Sequence, residues 1–237
     1  MKIPSLLALI LLVSALLRAD VPAVAASHAN PSDLALNVPP AGWRHLTVPG
    51  KAATRFASGP DGAIKVSARD SAGFLVREIA ADAQPVRRLA WRWRVDMAPP
   101  PTDQSMKGMD DRPLALHVWF DDGAAGRSPW TLFDRVGAWL FDVPLPGKVL
   151  TYVWGGKRMR GDSLKNPYLE ENGRLIILRS GRAPNGQWFA ESVDVAADFK
   201  RVFGYDAPPP RFIAISADTD DKRGVSMGAV TDLVLHM

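Results

Sequence analysis

Arg92 and Arg94 stand two residues apart in the stretch LAWRWRVD, residues 89–96, with Trp93 between them and Trp91 just before. A guanidinium group grips carboxylate or phosphate in bidentate fashion. An indole offers a large apolar face with a polar rim. Residues of the same kinds recur further along: His117 and Trp119 in LALHVWF, Tyr152 and Trp154 in LTYVWG, Arg179 in RLIILRS, and Ser216 and Asp218 in FIAISADTD. A merely solvated surface favours Lys, Glu and Thr, whereas Arg, His, Trp and Tyr are the types that line binding surfaces. Arg92, Arg94, His117, Trp119, Tyr152, Trp154, Arg179 and Asp218 are therefore expected to line one ligand-binding face. On it Trp119, Tyr152 and Trp154 would stack on rings, and the three arginines would hold acidic groups. The alternative is a solvated outer face crossed by ion pairs, since charged residues normally lie outside.

One enzymatic reading uses the same residues. Polysaccharide lyases neutralise a uronate carboxylate with a cation and move the adjacent proton with a Tyr or His. Arg92, His117 and Tyr152 would fill those roles if they share a face. Non-catalytic binding of a glycan or other anionic ligand needs fewer coincidences and is preferred; a protein–protein assembly role for the same face is the third reading. Hard oxygen ligands for calcium are offered by Asp218, Asp220 and Asp221, joined by Asp110 and Asp111 if the intervening loop folds over that edge. The competing reading is an Asp-rich turn at a strand end, and no cofactor is expected. His28, His45, His117 and His236 have no ligand spacing, and the chain has no Cys. Glu170, Glu171, Glu191 and Asp194 are carboxylates without a glycosidase motif. WGGKRMRG lacks the spacing of a phosphate-binding loop, and RSGR does not imitate a nucleophile elbow.

The elements that position these residues read as strands. Apolar–polar alternation recurs over 43–48, 53–58, 62–69, 73–79, 87–96, 114–121, 149–154, 173–180, 187–193, 211–217 and 229–236. Gly, Pro and Asp punctuate them, as in an all-β sandwich or barrel. In 89–96 strict alternation sends Leu89, Trp91, Trp93 and Val95 to the core and Ala90, Arg92, Arg94 and Asp96 outward. Two short helices interrupt the pattern. One covers SPWTLFDRVGAWLF near 128–140; the other covers 194–204, with Asp194 as cap and Gly204 as stop. The expectation is an all-β fold, a two-sheet antiparallel jelly-roll-like sandwich over residues 43–237 with two short inserted helices. Residues 97–113 form a long irregular loop of the kind that carries function.

The N-terminus reads as a cleaved export signal: Lys2, an apolar run over residues 5–17, and the small residues Ala23 to Ala26. Residues 1–25 are expected to be removed, leaving a loose arm over 26–42. An exported chain without cysteine fits a periplasmic or secreted protein. The formal charge of +4 is spread without a block of consecutive Lys or Arg. A nucleic-acid partner is therefore not expected, nor is a membrane span after cleavage. The oligomeric state is left open.

The segments LAWRWRVD, KGMDDRP, LTYVWGG, NPY, IILRSG, GQWFAESVDVAADFKRVFG and AISADTDD, in that order, resemble the bacterial exported family catalogued as domain of unknown function 3047. The resemblance spans about residues 43–236. It implies a jelly-roll sandwich shaped like carbohydrate-binding modules and transfers no activity. This chain has Ala115 where members often carry Arg, and Asp221-Lys222-Arg223 where they continue with small polar residues.

Overall fold

The computed structural model describes residues 40–80, 86–120 and 147–236. Two stacked sheets are built from β1 (Arg44–Thr47), β2 (Ala52–Ala53), β3 (Arg55–Ser58), β4 (Ile64–Arg69), β5 (Ser71–Glu78), β6 (Arg88–Met97) and β7 (Arg112–Phe120). They are completed by β8 (Lys148–Trp154), β9 (Ser163–Asn166), β10 (Glu170–Arg179), β11 (Phe189–Asp194), β12 (Pro210–Asp218) and β13 (Val225–His236). The larger sheet runs β1-β5-β12-β7-β8-β10-β9, with β2 also on β5; the smaller runs β11-β6-β13-β4-β3. This is the expected two-sheet jelly-roll-like sandwich. Its pairs are antiparallel except β8–β10 and β2–β5, which are parallel.

The core follows from alternation on β6. Leu89, Trp91, Trp93 and Val95 are buried between the sheets, while Arg88, Arg92 and Asp96 are exposed. Trp91 meets Tyr152 of β8 at 5.7 Å between ring centres, and Trp93 meets Trp154 at 5.5 Å. These tilted and edge-on contacts tie one sheet to the other, and each aromatic pair adds about 0.5–1.5 kcal/mol beyond its area burial. Gly228 of β13 lets β6 approach closely: a Cβ there would lie 2.6 Å from the Arg94 carbonyl oxygen.

β7 and β8 are buried along their whole length, so both faces of the larger sheet are packed. Leu114, Leu116, Val118 and Phe120 join the core between the sheets. Trp119 lies on the opposite face with Val76, Val149, Phe212 and Ala214.

The helix expected at 194–204 is present as α1 (Val195–Phe203). Asp194 accepts from the Ala197 N–H at 2.8 Å, and Gly204 closes the helix in the left-handed conformation. Phe199 docks α1 on Phe120 at 4.6 Å. The helix expected near 128–140 lies outside the described residues. Residues 98–111 between β6 and β7 are free of strand and helix, as expected, and lie at the same end of the sandwich as the loops after β8, β10 and β12. β9 was not expected from sequence, and β13 begins four residues earlier than its alternation suggested.

Candidate functional site

Three groups of polar side chains stand apart: Arg92 and Arg94, Arg179 and Asp218 are divided among them, while His117, Trp119, Tyr152 and Trp154 are buried elsewhere. Arg92 and Arg94 do emerge together on the outer face of the smaller sheet. Each is balanced by a protein carboxylate. Arg94 pairs with Asp96 at 2.7 Å, and Arg92 reaches Asp232 at 3.4 Å. Asp232 sits in the bulge where β13 slips against β6, at φ 53°, and the bulge turns its side chain toward Arg92. Both guanidinium groups lie over the ring of Trp188, which precedes edge strand β11, at 5.5 and 5.0 Å from its centre. Small residues lie between the long ones: Ala190 and Thr231 flank Arg92, and Ala229 pairs with Arg94. The expected anion receptor at Arg92 and Arg94 is thus corrected to the alternative, an outer face crossed by ion pairs in which each of the two guanidinium groups has its own carboxylate.

His117, Trp119, Tyr152 and Trp154 do not join this face. Tyr152 pairs with Leu116 and Trp154 with Leu114, so both point into the core, opposite to His117, which pairs with Thr151. Their rings are fully buried and cannot stack on a ligand. Tyr152 donates its hydroxyl to Asp198 of α1 at 3.0 Å, and burial, with Asp198 beside it, pushes its pKa well up. His117 is buried on the far face of the larger sheet. Its Nδ1 meets the Thr151 hydroxyl at 3.0 Å and its Nε2 the Ser216 hydroxyl at 2.8 Å. Burial, helped by the Arg112 charge, drops its pKa far below that of a free imidazole, so the ring stays neutral. Trp119 packs on Phe74 and Phe212. Arg92 on the outer face of the smaller sheet, Tyr152 in the core and His117 buried on the far face of the larger sheet therefore lie apart, and the arrangement a lyase needs is not assembled by them.

Arg179 lies at the side of the sandwich where β10 faces β11. Its Nε donates to Glu191 at 2.6 Å while its guanidinium covers Phe189. Glu191 is 1% exposed and also accepts from Trp93 Nε1 at 3.2 Å and from both Nη atoms of Arg160, at 3.1 and 3.0 Å. One buried carboxylate thus serves two cations. Glu191, Arg160, Trp188 and Asp232 are the residues that strand alternation did not single out as ligand-binding. The adjacent aromatics Trp188 and Phe189 in GQWFAE were the available signal for Trp188.

Asp218 belongs to the third group, at the loop end. The segment 98–111 folds over the turn after β12, as the acidic reading required. The Asp111 carboxylate accepts from the backbone N–H groups of Asp221 and Lys222, each at 3.0 Å, and Asp221 accepts from the Asp110 N–H at 3.1 Å. The carboxylate oxygens that lie within 4.8 Å of one another belong to Asp111, Asp220 and Asp221, close enough for hard oxygen donors to share a cation. Asp218, expected in that trio, instead faces buried Arg112 at 3.7 Å, and Arg112 donates to Asp110 at 2.8 Å. Lys51 donates to Asp220. Burial pushes Asp218 up to about 9 against the pull of Arg112, and pushes Asp221 up to about 6. Asp220 moves down despite its burial, because Asp218 and Lys51 donate to it. At neutral pH the protein holds a proton here, on Asp218.

Solved structures similar to this chain are β-rich and distant. The xyloglucanase domain of NopAA from Sinorhizobium fredii, solved with cellobiose, is 8% identical with a TM-score of 0.42, covering 82% of this chain and 92% of that one. A cellulase derived from Cel12A of Rhodothermus marinus is 11% identical with a TM-score of 0.44, covering 85% and 94%. The K3 adhesin domain of Lys-gingipain from Porphyromonas gingivalis is 13% identical with a TM-score of 0.35, covering 83% and 92%. No curated protein matches the sequence. The family described as protein of unknown function DUF3047 matches residues 41–234, and by this match the chain belongs to that family.

Proposed function

We propose that the protein is an exported, non-catalytic glycan-binding domain, acting in the periplasm, whose ligand lies on the outer face of β6 and β11. One observation carries the reading: Trp188 is held by two guanidinium groups whose charges Asp96 and Asp232 balance. A polyhydroxylated ring needs an apolar plane beside fixed donors and acceptors, without the desolvation cost of unpaired charge. The indole supplies the plane, and the Arg–Asp pairs supply both hydrogen-bonding senses. Stacking under the guanidinium groups fixes the indole before a ligand arrives, which lowers the entropic cost of binding. The non-catalytic part rests on the separation of Arg92, His117 and Tyr152. Export rests on the N-terminal sequence pattern; among the described residues no helix is long and apolar enough to cross a membrane.

The test is a panel of neutral and acidic oligosaccharides titrated against residues 26–237 and against Trp188→Ala. The expected result is binding that falls at least tenfold in the variant while its melting temperature holds. Binding that ignores Trp188, or no binding to any glycan, overturns the reading. Release of unsaturated uronate from an acidic glycan overturns the non-catalytic part alone.

A further inference from the structure

A second basic region lies around the side of the same edge strand. Residues 155–191 carry seven Lys and Arg against four Asp and Glu, a formal +3 of the chain's +4. Two of those cations, Lys165 and Arg174, are paired with Glu171. Of the others, Arg160 and Arg179 touch Glu191, while Lys157, Arg158 and Arg182 are exposed on the loops after β8 and β10, which meet where the Gly181 N–H donates to Gly156 O, with the Asp103 carboxylate near Lys157 and Arg158. Arg160 itself is 56% exposed although both of its Nη atoms are on Glu191.

The loop that presents these cations is fixed by hydrogen bonds. The Lys157 N–H donates to Thr102 O at 3.0 Å, the Gly161 N–H to Ile177 O at 2.9 Å, and the Met159 N–H to the Asp162 carboxylate at 3.0 Å. A Cβ at Gly156 would strike the Gln104 side chain, so the turn also packs tightly on the 98–111 segment. A frame already ordered in this way lowers the entropic cost of gripping a ligand.

We infer that this rim is an acid-selecting subsite for a uronate-bearing glycan. The inference rests on the glycan-binding reading above and names its substrate class. Phe189, under Arg179, directly follows Trp188 and faces the opposite side of edge strand β11, so a sugar chain stacked on the indole meets the rim by passing around that edge. The group already held by the two guanidiniums is a carboxylate, and one carboxylate between two cations leaves room in charge for another. Guanidinium forks suit that group geometrically. Because the flanking cations are exposed, their attraction is screened by salt within about 8–10 Å at physiological ionic strength.

The probes are an oligogalacturonate and its carboxyl-reduced neutral counterpart of equal length, titrated at low and high salt. The variant is Lys157→Gln/Arg158→Gln/Arg182→Gln, which leaves Arg160, Arg179 and Glu191 intact. The wild type should bind the acidic probe about tenfold tighter than the neutral one, and the advantage should shrink as salt rises. The triple variant should lose the advantage and keep the neutral affinity. Equal affinity of the wild type for both probes, or a preference that survives the substitutions, overturns the inference while neutral binding through Trp188 still stands. Failure of both probes removes the reading and the inference together. Equal binding to duplex DNA or to anionic phospholipid vesicles would show unselective charge, and would overturn the uronate assignment.

Discussion

Replacing Asp218 by asparagine should change how stability depends on pH, in a window where little else titrates. The native carboxyl holds its proton up to about 9, whereas the unfolded chain releases it near the ordinary 3.8. Unfolding between those values therefore releases a proton, and raising the pH favours the unfolded state. His45 and His117, whose native pKa values are lowered, act in the opposite direction, but only until the unfolded histidines have lost their protons near 6.5. Asp221, at about 6, is also largely ionised by pH 7. From pH 7 to 8.5 the native Asp218 goes from fully protonated to about three-quarters protonated, and integrating that proton release gives a loss of about 2 kcal/mol. The carboxamide of the Asp218→Asn variant has the same shape and no proton to lose. Urea titrations at pH 7, 7.5, 8 and 8.5 should show the wild type losing about 2 kcal/mol across the window, while Asp218→Asn stays nearly flat. A flat wild type, or a variant with the same slope, would refute the buried, protonated carboxyl.

Trp91→Ala or Trp93→Ala should cost about 3–5 kcal/mol, as for other buried aromatic truncations, whereas Arg92→Ala on the exposed side of the same strand should cost under about 1 kcal/mol; equal losses in chemical denaturation would show that the two faces were assigned wrongly. Glu191→Ala should cost about 3 kcal/mol, because it strands Arg179 and the Trp93 indole N–H beside the core. Arg160→Ala should cost about 1 kcal/mol or less, since that arm of the cluster is in water. Urea midpoints for the two variants that coincide would place the weight on the exposed pair instead.

What the sequence disclosed depended on whether a strand has one wet face. β6 does, and its alternation sorts Trp91 and Trp93 from Arg92 and Arg94 without any knowledge of its neighbours. α1 was legible for a similar reason: Asp194 and Gly204 are local signals that act through the backbone of their own segment. β8 is different. VLTYVW is buried on both faces, with Thr151 on the outer one and Tyr152 on the inner, so polarity does not tell the faces apart, and the direction of Tyr152 is set by its register with Leu116. That register is a long-range fact, and one residue of slip reverses every side chain. His117 shows the same limit from the other side. Its polarity suggested a ligand, yet hydroxyls on β8 and β12 satisfy both ring nitrogens, and no local pattern announces partners 34 and 99 residues away. The charge balance of the Arg92–Arg94 face depended in part on a bulge: Asp96 was visible two residues along the strand, whereas Asp232 reaches Arg92 because β13 slips there. The acid-selecting rim was hidden by the same physics. Its cations come from the loops after β8 and β10, and the parallel pairing of those two strands sets them beside β11, which no spacing along the chain could foretell.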